Sequence, residues 1–156
     1  MRLLMKERKV SFKDDFGIKD ESGIEKYRVK GELLTWGKKL HIYNDKKEEE
    51  AEIVEKIISF KPKFYIYVGN EQVAEIVKET TLFKPKYKIT GLGWEIKGNV
   101  GEHKYTISKD GIDIVNVKKK RISLSNSYVI DIVDEEYSVL AIASVLAINV
   151  VLSKNK

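Results

Sequence analysis

The sequence predicts a mainly β protein, a closed antiparallel barrel of twelve strands around one apolar C-terminal helix. An internal repeat, strand periodicity within each repeat and a final apolar segment support this fold. Residues 74–77 repeat residues 51–54 as Ala-Glu-Ile-Val, and residues 83–86 repeat residues 60–63 as Phe-Lys-Pro-Lys, both at an offset of 23 residues. Two matches at one offset indicate a repeated structural unit.

Each unit contains two pairs of apolar residues at alternate positions, which is the period of a β-strand. In the unit centred on Phe60, Ala51 and Ile53 come before the centre, and Phe64 and Ile66 follow it. Turn residues rich in Gly, Asn and Asp separate the units, as tight hairpins require. Six two-strand units therefore predict a meander of twelve strands. The unit centres are Phe12, Trp36, Phe60, Phe83, Gly101 (in a degenerate copy) and Leu124.

Two segments also fit a different element. Residues 50–58 and 72–80 have apolar residues at helical spacing, so the local pattern alone would make them amphipathic helices. In the repeat, however, they align with residues 27–31, where β-type residues and Gly31 disfavour a helix. We therefore predict strands for both segments.

The last element is predicted from an apolar run at residues 139–152, in which Ser144 and Asn149 are the only polar residues. We predict a helix over 137–152, with Asp134 as its N-terminal cap. The run is shorter than the about 17–25 residues that span a bilayer, although a membrane tail anchor remains the alternative. A twelve-stranded barrel leaves a lumen close to the ~10–12 Å diameter of a helix, so we expect this helix to fill the barrel.

These features, together with three local motifs, resemble the LURP-one-related proteins, especially their small bacterial members. The motifs are Met-Arg-Leu-Leu-Met-Lys at 1–6, Phe-Lys-Pro-Lys-Tyr at 83–87 and Gly-Leu-Gly-Trp-Glu at 91–95. The resemblance covers the whole chain, 1–156, as a single domain. It implies the barrel and buried helix of the tubby C-terminal domain and the phospholipid scramblases. Tubby domains bind phosphoinositides through basic residues, but no local motif transfers those positions to this chain.

Motifs for catalysis are missing from the sequence. The chain has no cysteine, which excludes thiolate metal sites and cysteine nucleophiles. The glycines at 91–101 do not form a dinucleotide-binding motif, and no P-loop is present. Ser123, Ser125 and Ser127 lack the Gly-x-Ser-x-Gly context of a nucleophilic serine. We therefore expect a protein that is not an enzyme and uses no cofactor.

No metal site is predicted either. His41 and His103 each fall on a predicted strand; His41 has no nearby carboxylate, whereas His103 adjoins Glu102. Two unpaired histidines make a poor metal site, so we expect them to pack or to lie on the barrel surface, unless both side chains meet in space. The acidic residues near the helix fit helix capping and solvation better than a carboxylate site. These are Asp131, Asp134, Glu135 and Glu136.

The basic segments are the remaining candidate for a binding site. Equivalent connections between strands carry lysines, and in a meander such connections lie at the same end of the barrel, so the lysines should cluster. Near an anionic membrane each lysine contributes ~1 kcal/mol. Solvated loop charges that protect strand edges are the alternative. The candidate anion-binding residues are Lys38, Lys39, Lys61, Lys63, Lys84, Lys86, Lys118, Lys119, Lys120 and Arg121.

The expected function is that of a cytoplasmic, non-enzymatic binding or adaptor domain, with peripheral binding of anionic phospholipid or another polyanion through the basic loops. The alternative is a binding module for a protein partner or a small ligand, in which the lysines are merely solvated. Nucleic acid is not expected as a partner, because 29 basic residues against 24 acidic ones give a net charge of only +5 without a basic stripe.

Overall fold

The computed structural model describes residues 1–7, 14–34, 37–58, 61–79, 81–82, 84–122 and 124–152, without the side chains at 57, 58, 61 and 62. Twelve strands form one sheet, as predicted. The strands are β1 (Arg2–Lys6), β2 (Asp15–Asp20), β3 (Glu25–Leu34), β4 (Gly37–Asn44), β5 (Glu49–Ile58), β6 (Lys61–Val68), β7 (Glu71–Glu79), β8 (Lys86–Thr90), β9 (Trp94–Asn99), β10 (Lys104–Lys109), β11 (Ile112–Ile122) and β12 (Ser125–Ile132).

The sheet is an antiparallel meander that forms a nearly closed barrel. Its strand order is β8-β7-β6-β5-β4-β3-β2-β1-β12-β11-β10-β9. Pairing of β1 with β12, with Leu3 opposite Ile130, joins the first and last strands of the chain. The seam of the barrel lies between β8 and β9, which end this order and are connected by residues 91–93. The predicted barrel topology is therefore confirmed.

The strand periodicity of the repeat sets the inner face of the barrel. In β5, Ala51 and Ile53 are buried, and in β7, Ala74 and Ile76 are buried, while the residues between them are partly exposed. Both segments with ambiguous spacing are thus strands, as the repeat predicted. A single apolar cluster joins these inner side chains to the C-terminal helix.

The C-terminal segment begins with a 3₁₀ turn (Glu135–Tyr137), continues as α1 (Ser138–Val145) and ends in π-helical turns (Leu146–Val151). Asp134 caps this segment, because its Oδ1 accepts a hydrogen bond from the amide of Glu136 at 3.0 Å. The predicted single α-helix over 137–152 thus has three helical geometries, which an apolar pattern does not distinguish. Every residue from 141 to 152 is buried.

One buried hydrogen bond fastens the start of α1 to the wall. The Tyr27 hydroxyl lies 2.6 Å from Ser138 Oγ, and Ser138 Oγ donates to the Glu135 carbonyl at 2.7 Å. Because the serine hydroxyl has a single proton, Tyr27 is the donor to Ser138. Within the described residues, no helix has the length and apolar content needed to cross a membrane.

The meander gives the barrel two distinct ends. The hairpin end carries the tight turns at 21–24, 45–48, 69–70, 91–93 and 110–111, and also the start of the helix. The loop end carries the connections β1–β2, β3–β4, β5–β6, β7–β8, β9–β10 and β11–β12. All connections equivalent by repeat therefore lie at one end.

Candidate functional site

The predicted basic residues all belong to strand ends or connections at the loop end. Residues 38–39 open β4, residues 61–63 open β6, and residues 84–86 lead into β8. Residues 118–121 close β11, which β10 and β9 separate from the seam. Since neighbouring strands are about 4.8 Å apart, the starts of β4, β6 and β8 are spaced by roughly 10 Å around the rim. The lysines thus form an arc rather than converging on one point.

Several of these cations form ion pairs with carboxylates. Lys39 Nζ lies 3.2 Å from Glu52, and Lys63 Nζ lies 3.2 Å from Glu75, at equivalent positions of successive repeats. Lys86 Nζ lies 3.9 Å from a carboxylate oxygen of Glu79. These pairs reduce the positive charge that the outer wall presents.

Strand alternation turns Lys38 toward the barrel interior, whereas Lys119 is exposed at the rim. Lys38 precedes the inward-facing Leu40 by two positions. Burial raises the pKa of Glu55, and the charge of Lys38 offsets part of that rise. Lys119 follows the buried Val117 by two positions and pairs with Glu7 at 3.1 Å.

The exposed basic side chains are concentrated at the loop end, and the exposed acidic ones at the hairpin end. At the loop end, Asp15, Glu32 and Glu102 are the exposed acidic residues among those the structure describes. Lys19, Lys46 and Lys47 are the corresponding exposed bases of the hairpin end within the described ranges. The exposed bases of the loop end include Lys6, Lys56, Lys84, Lys86, Lys104, Lys119, Lys120 and Arg121. The exposed acids of the hairpin end are Glu21, Glu25, Asp45, Glu48, Glu49, Glu71, Glu95, Asp110, Asp113, Asp134, Glu135 and Glu136.

Large apolar side chains stand out of the loop end next to these bases. Leu82 is 92% exposed, in the connection that carries Lys84, and Leu124 is 90% exposed, three residues after Arg121 of β11. Leu33 is a third, at 67% exposure. Leu124 is a predicted repeat centre, but its exposure was not predicted. The repeat offers the signal, because its centres fall between strands, where an inner face is no longer available.

The equivalent centres of the other repeats extend this pattern in the sequence. These centres are Phe12, Trp36, Phe60 and Phe83, and all four lie outside the described residues. At the seam, Leu82 and Lys84 line a groove together with Tyr87 and Ile96. The loop end therefore combines cations, exposed leucines and a partly apolar groove. We call Leu82, Lys84, Lys120, Arg121 and Leu124 the loop-end patch.

A second cluster lies on the outer wall, around His41 of β4. His41 Nε2 is 2.9 Å from Glu32 Oε2 on β3, and Nδ1 contacts Glu49 Oε1 on β5. Glu52 Oε1, also on β5, is 3.6 Å from the same Nδ1. The expectation that His41 has no nearby carboxylate is wrong, because strand pairing brings in residues that are distant in sequence.

A β-bulge creates this cluster. Ile42 pairs with Ala51, but the next pair is Tyr43 with Glu49, so Glu50 is an extra residue in β5. In a regular strand, residues three apart point to opposite faces. The bulge instead turns Glu49 to the same outer face as Glu52, where both reach His41.

The carboxylates change the protonation of His41. Its side chain is 16% exposed, and burial, the largest single influence, lowers its pKa. Hydrogen bonds to Glu32 and Glu49, with the nearby charges of Glu49 and Glu52, outweigh burial, so the pKa of His41 is raised above 6.5. The same hydrogen bond to His41 lowers the pKa of Glu32.

The remaining candidates have structural contacts. The two histidines do not meet, since the His103 ring lies beside Tyr128 of β12 with centroids 5.2 Å apart. Asp131 accepts a hydrogen bond from Arg2 Nε at 2.6 Å, and this contact lowers the pKa of Asp131. Asp131 therefore serves an ion pair between β1 and β12, rather than capping or solvation alone.

Comparison with known proteins gives the family. A model of the LURP-one-related family matches residues 1–149. The chain is a member of the LURP-one-related family. It is 32% identical over 153 residues to the uncharacterized protein YxjI of Bacillus subtilis (strain 168), covering 97% of this chain and 94% of that protein.

A solved structure supports the fold of this LURP-one-related chain. The X-ray structure of a protein from Arabidopsis thaliana matches with a TM-score of 0.57 over 94% of this chain and 91% of the other. At 13% identity the likeness concerns the fold alone. The resemblance inferred from the sequence is confirmed by the family match.

Proposed function

We propose that this LURP-one-related chain is a non-enzymatic binding domain that docks its loop-end patch onto an anionic phospholipid surface. The carrying observation is the segregation of charge between the two barrel ends, with two leucines at 90% exposure or more among the bases of the loop end. Basic residues around exposed apolar side chains are typical of surfaces that bind the membrane interface.

The magnitudes suit reversible docking. Lys84, Lys120 and Arg121 together contribute roughly 3 kcal/mol at ~1 kcal/mol per cation near an anionic surface. Burying Leu82 and Leu124 adds at most roughly 3–6 kcal/mol. Lost translational and rotational freedom opposes both contributions. The balance favours peripheral, salt-sensitive association over permanent insertion.

The acidic hairpin end sets the orientation. An anionic surface repels its exposed carboxylates, such as Asp45, Asp110 and Glu135, while it attracts the opposite end. The barrel axis therefore stands steeply on the membrane, with the loop end down. The groove at the seam, lined by Leu82 and Lys84, then faces the lipid headgroups.

Vesicle co-sedimentation of the full chain tests this proposal. Vesicles of phosphatidylcholine with phosphatidylserine are compared with vesicles of phosphatidylcholine alone, at low and moderate salt. We expect binding to the anionic vesicles that weakens as salt rises. Equal binding to neutral vesicles, or no binding to either, contradicts the proposal.

Matched variants identify the surface. Replacing Lys84, Lys120 and Arg121 together by Glu should abolish binding. The control replaces the hairpin-end bases Lys19, Lys46 and Lys47 by Glu, an equal change in net charge, and should leave binding intact. Equal losses in both triple variants would mean that net charge alone is responsible.

A leucine variant separates membranes from soluble polyanions. The double change Leu82→Ser and Leu124→Ser should weaken vesicle binding by at least tenfold, because it removes two apolar side chains from the interface. If this variant binds vesicles as well as the native chain does, while the glutamate triple variant fails, the site recognises charge only. The ligand is then a polyanion in general, and the membrane proposal is wrong.

A further inference from the structure

The His41 cluster has the composition and geometry of a metal site, and its residues take no part in the loop-end patch. An imidazole nitrogen and two carboxylate oxygens, from His41, Glu49 and Glu52, lie within 4.8 Å of one another. Imidazole combined with carboxylate is a ligand set for zinc and similar ions. Calcium and magnesium prefer sets made of oxygen alone.

The spacing fits a small cation. Tetrahedral sites with bonds of 2.0–2.2 Å separate their ligand atoms by roughly 3.3–3.6 Å. The distance from His41 Nδ1 to Glu52 Oε1 is 3.6 Å, close to that edge. Glu49 Oε1 is nearer to Nδ1 and has to move outward to admit an ion, which its 38% side-chain exposure permits.

Glu32 supplies the supporting interaction that metal-binding histidines usually have. Such histidines donate their second ring N–H to a carboxylate or carbonyl group, which fixes the tautomer and the ring orientation. Here Nδ1 faces Glu49 and Glu52, while Nε2 lies 2.9 Å from Glu32 Oε2 on the opposite side. The carboxylate that orients the ring thus contacts Nε2, whereas the carboxylates that would bind the ion lie beside Nδ1.

The repeat does not by itself require this cluster. The same bulge follows the hairpin turn in β3, β7 and β11, where residues 26, 73 and 114 are the extra ones. The outward positions equivalent to His41, Glu49 and Glu52 are occupied there by Gly17, Glu25 and Arg28; by Tyr65, Gln72 and Glu75; and by Thr106, Asp113 and Asn116. None of these three hairpins joins an imidazole to two carboxylates. The shared framework thus carries a distinct set of side chains at β4–β5.

We propose that His41, Glu49 and Glu52 form a binding site for a divalent transition-metal ion of the zinc type, with Glu32 orienting the imidazole. Three protein ligands leave a tetrahedral ion one further position, which water takes. Lys39, 3.2 Å from Glu52 Oε2, offsets part of the negative charge of the three carboxylates. The site lies on the wall of the barrel and is independent of the membrane proposal.

Zinc titration of the untagged full chain tests the site, with a chromophoric chelator as competitor. We expect saturation at one equivalent. Glu32→Gln should weaken zinc binding by about 10- to 100-fold, as loss of a supporting group usually does. His41→Asn removes a metal ligand and should weaken zinc binding by more than about 100-fold. Replacing the other histidine, with His103→Gln, should leave the affinity unchanged.

Glu52 has a matched control one repeat further along the chain. Glu52→Gln and Glu75→Gln each break an ion pair with a lysine at 3.2 Å, but only Glu52 belongs to the proposed site. We expect loss of zinc binding in Glu52→Gln and native affinity in Glu75→Gln. Equal losses in both, or native binding in His41→Asn, overturn the proposal.

Nuclear magnetic resonance of the native chain gives a readout that needs no variant. The His41 ring should titrate with pH in metal-free buffer and stop titrating in the same range once one equivalent of zinc is bound, because the metal replaces the proton at Nδ1. The His103 ring should behave alike in both conditions. Continued titration of His41 in the presence of saturating zinc, or no saturable binding at all, also overturns the proposal.

Discussion

Shortening a buried side chain of α1 measures how much the packing of this helix stabilises the barrel. Ile142 is 0% exposed in the apolar cluster, so Ile142→Ala removes packing contacts from the core and leaves a cavity there. Such substitutions cost about 2–5 kcal/mol of unfolding free energy. For a chain of this length, 1 kcal/mol lowers Tm by roughly 2–4 °C, so the Tm should fall by roughly 4–20 °C.

The matched control is Ile112→Ala at the start of β11. Ile112 is 68% exposed, so the same chemical change should stay within about 0.5 kcal/mol of the native chain. Urea unfolding followed by tryptophan fluorescence and by circular dichroism gives both free energies. If Ile142→Ala unfolds at the same urea concentration as Ile112→Ala, the helix is not part of the cooperative core, and its place inside the barrel is wrong.

The other predictions concern turns and pH. Gly23 and Gly91 both have positive φ, so Gly23→Ala should cost about 1 kcal/mol of unfolding free energy. Gly91→Ala should cost more, because a Cβ at Gly91 would also clash with the Val73 carbonyl. Urea unfolding of the two variants compares these costs. Since the folded pKa of His41 is raised, the stabilisation by its protonated ring is complete below about pH 6.5 and is lost as pH rises through the folded pKa. In metal-free buffer, His41→Asn should therefore cost more stability near pH 6 than near pH 9, and an equal cost at both would contradict the assigned contacts.

The fold was predictable because the sequence repeats the same two-strand unit six times. The alignment of residues 50–58 and 72–80 with residues 27–31, which disfavour a helix, predicted strands for two segments whose local spacing also fits helices. The apolar run at 139–152 identified the buried element, since no amphipathic face is left for solvent. The π-helical turns at Leu146–Val151 were not predictable, because burial on all sides gives the same pattern for either helical geometry.

The repeat and the strand periodicity of the sequence predict the two candidate sites only in part. Repeat equivalence placed the lysines at one end, but alternation along each strand decided that Lys38 faces inward while Lys39 pairs with Glu52. Strand pairing alone puts Glu52 opposite His41. Glu49 reaches the same face only through the bulge, and a period-two pattern assigns it to the opposite face.

The orientation of the barrel on an anionic membrane is the most direct test of the proposed function. The chain has no cysteine, so Leu124→Cys at the loop end and Ile24→Cys at the hairpin end each allow one environment-sensitive dye to be attached. With phosphatidylserine vesicles, the dye at position 124 should report transfer to an apolar environment, whereas the dye at position 24 should stay in water. A shift at position 24 alone, or equal shifts at both positions, would contradict docking through the loop end.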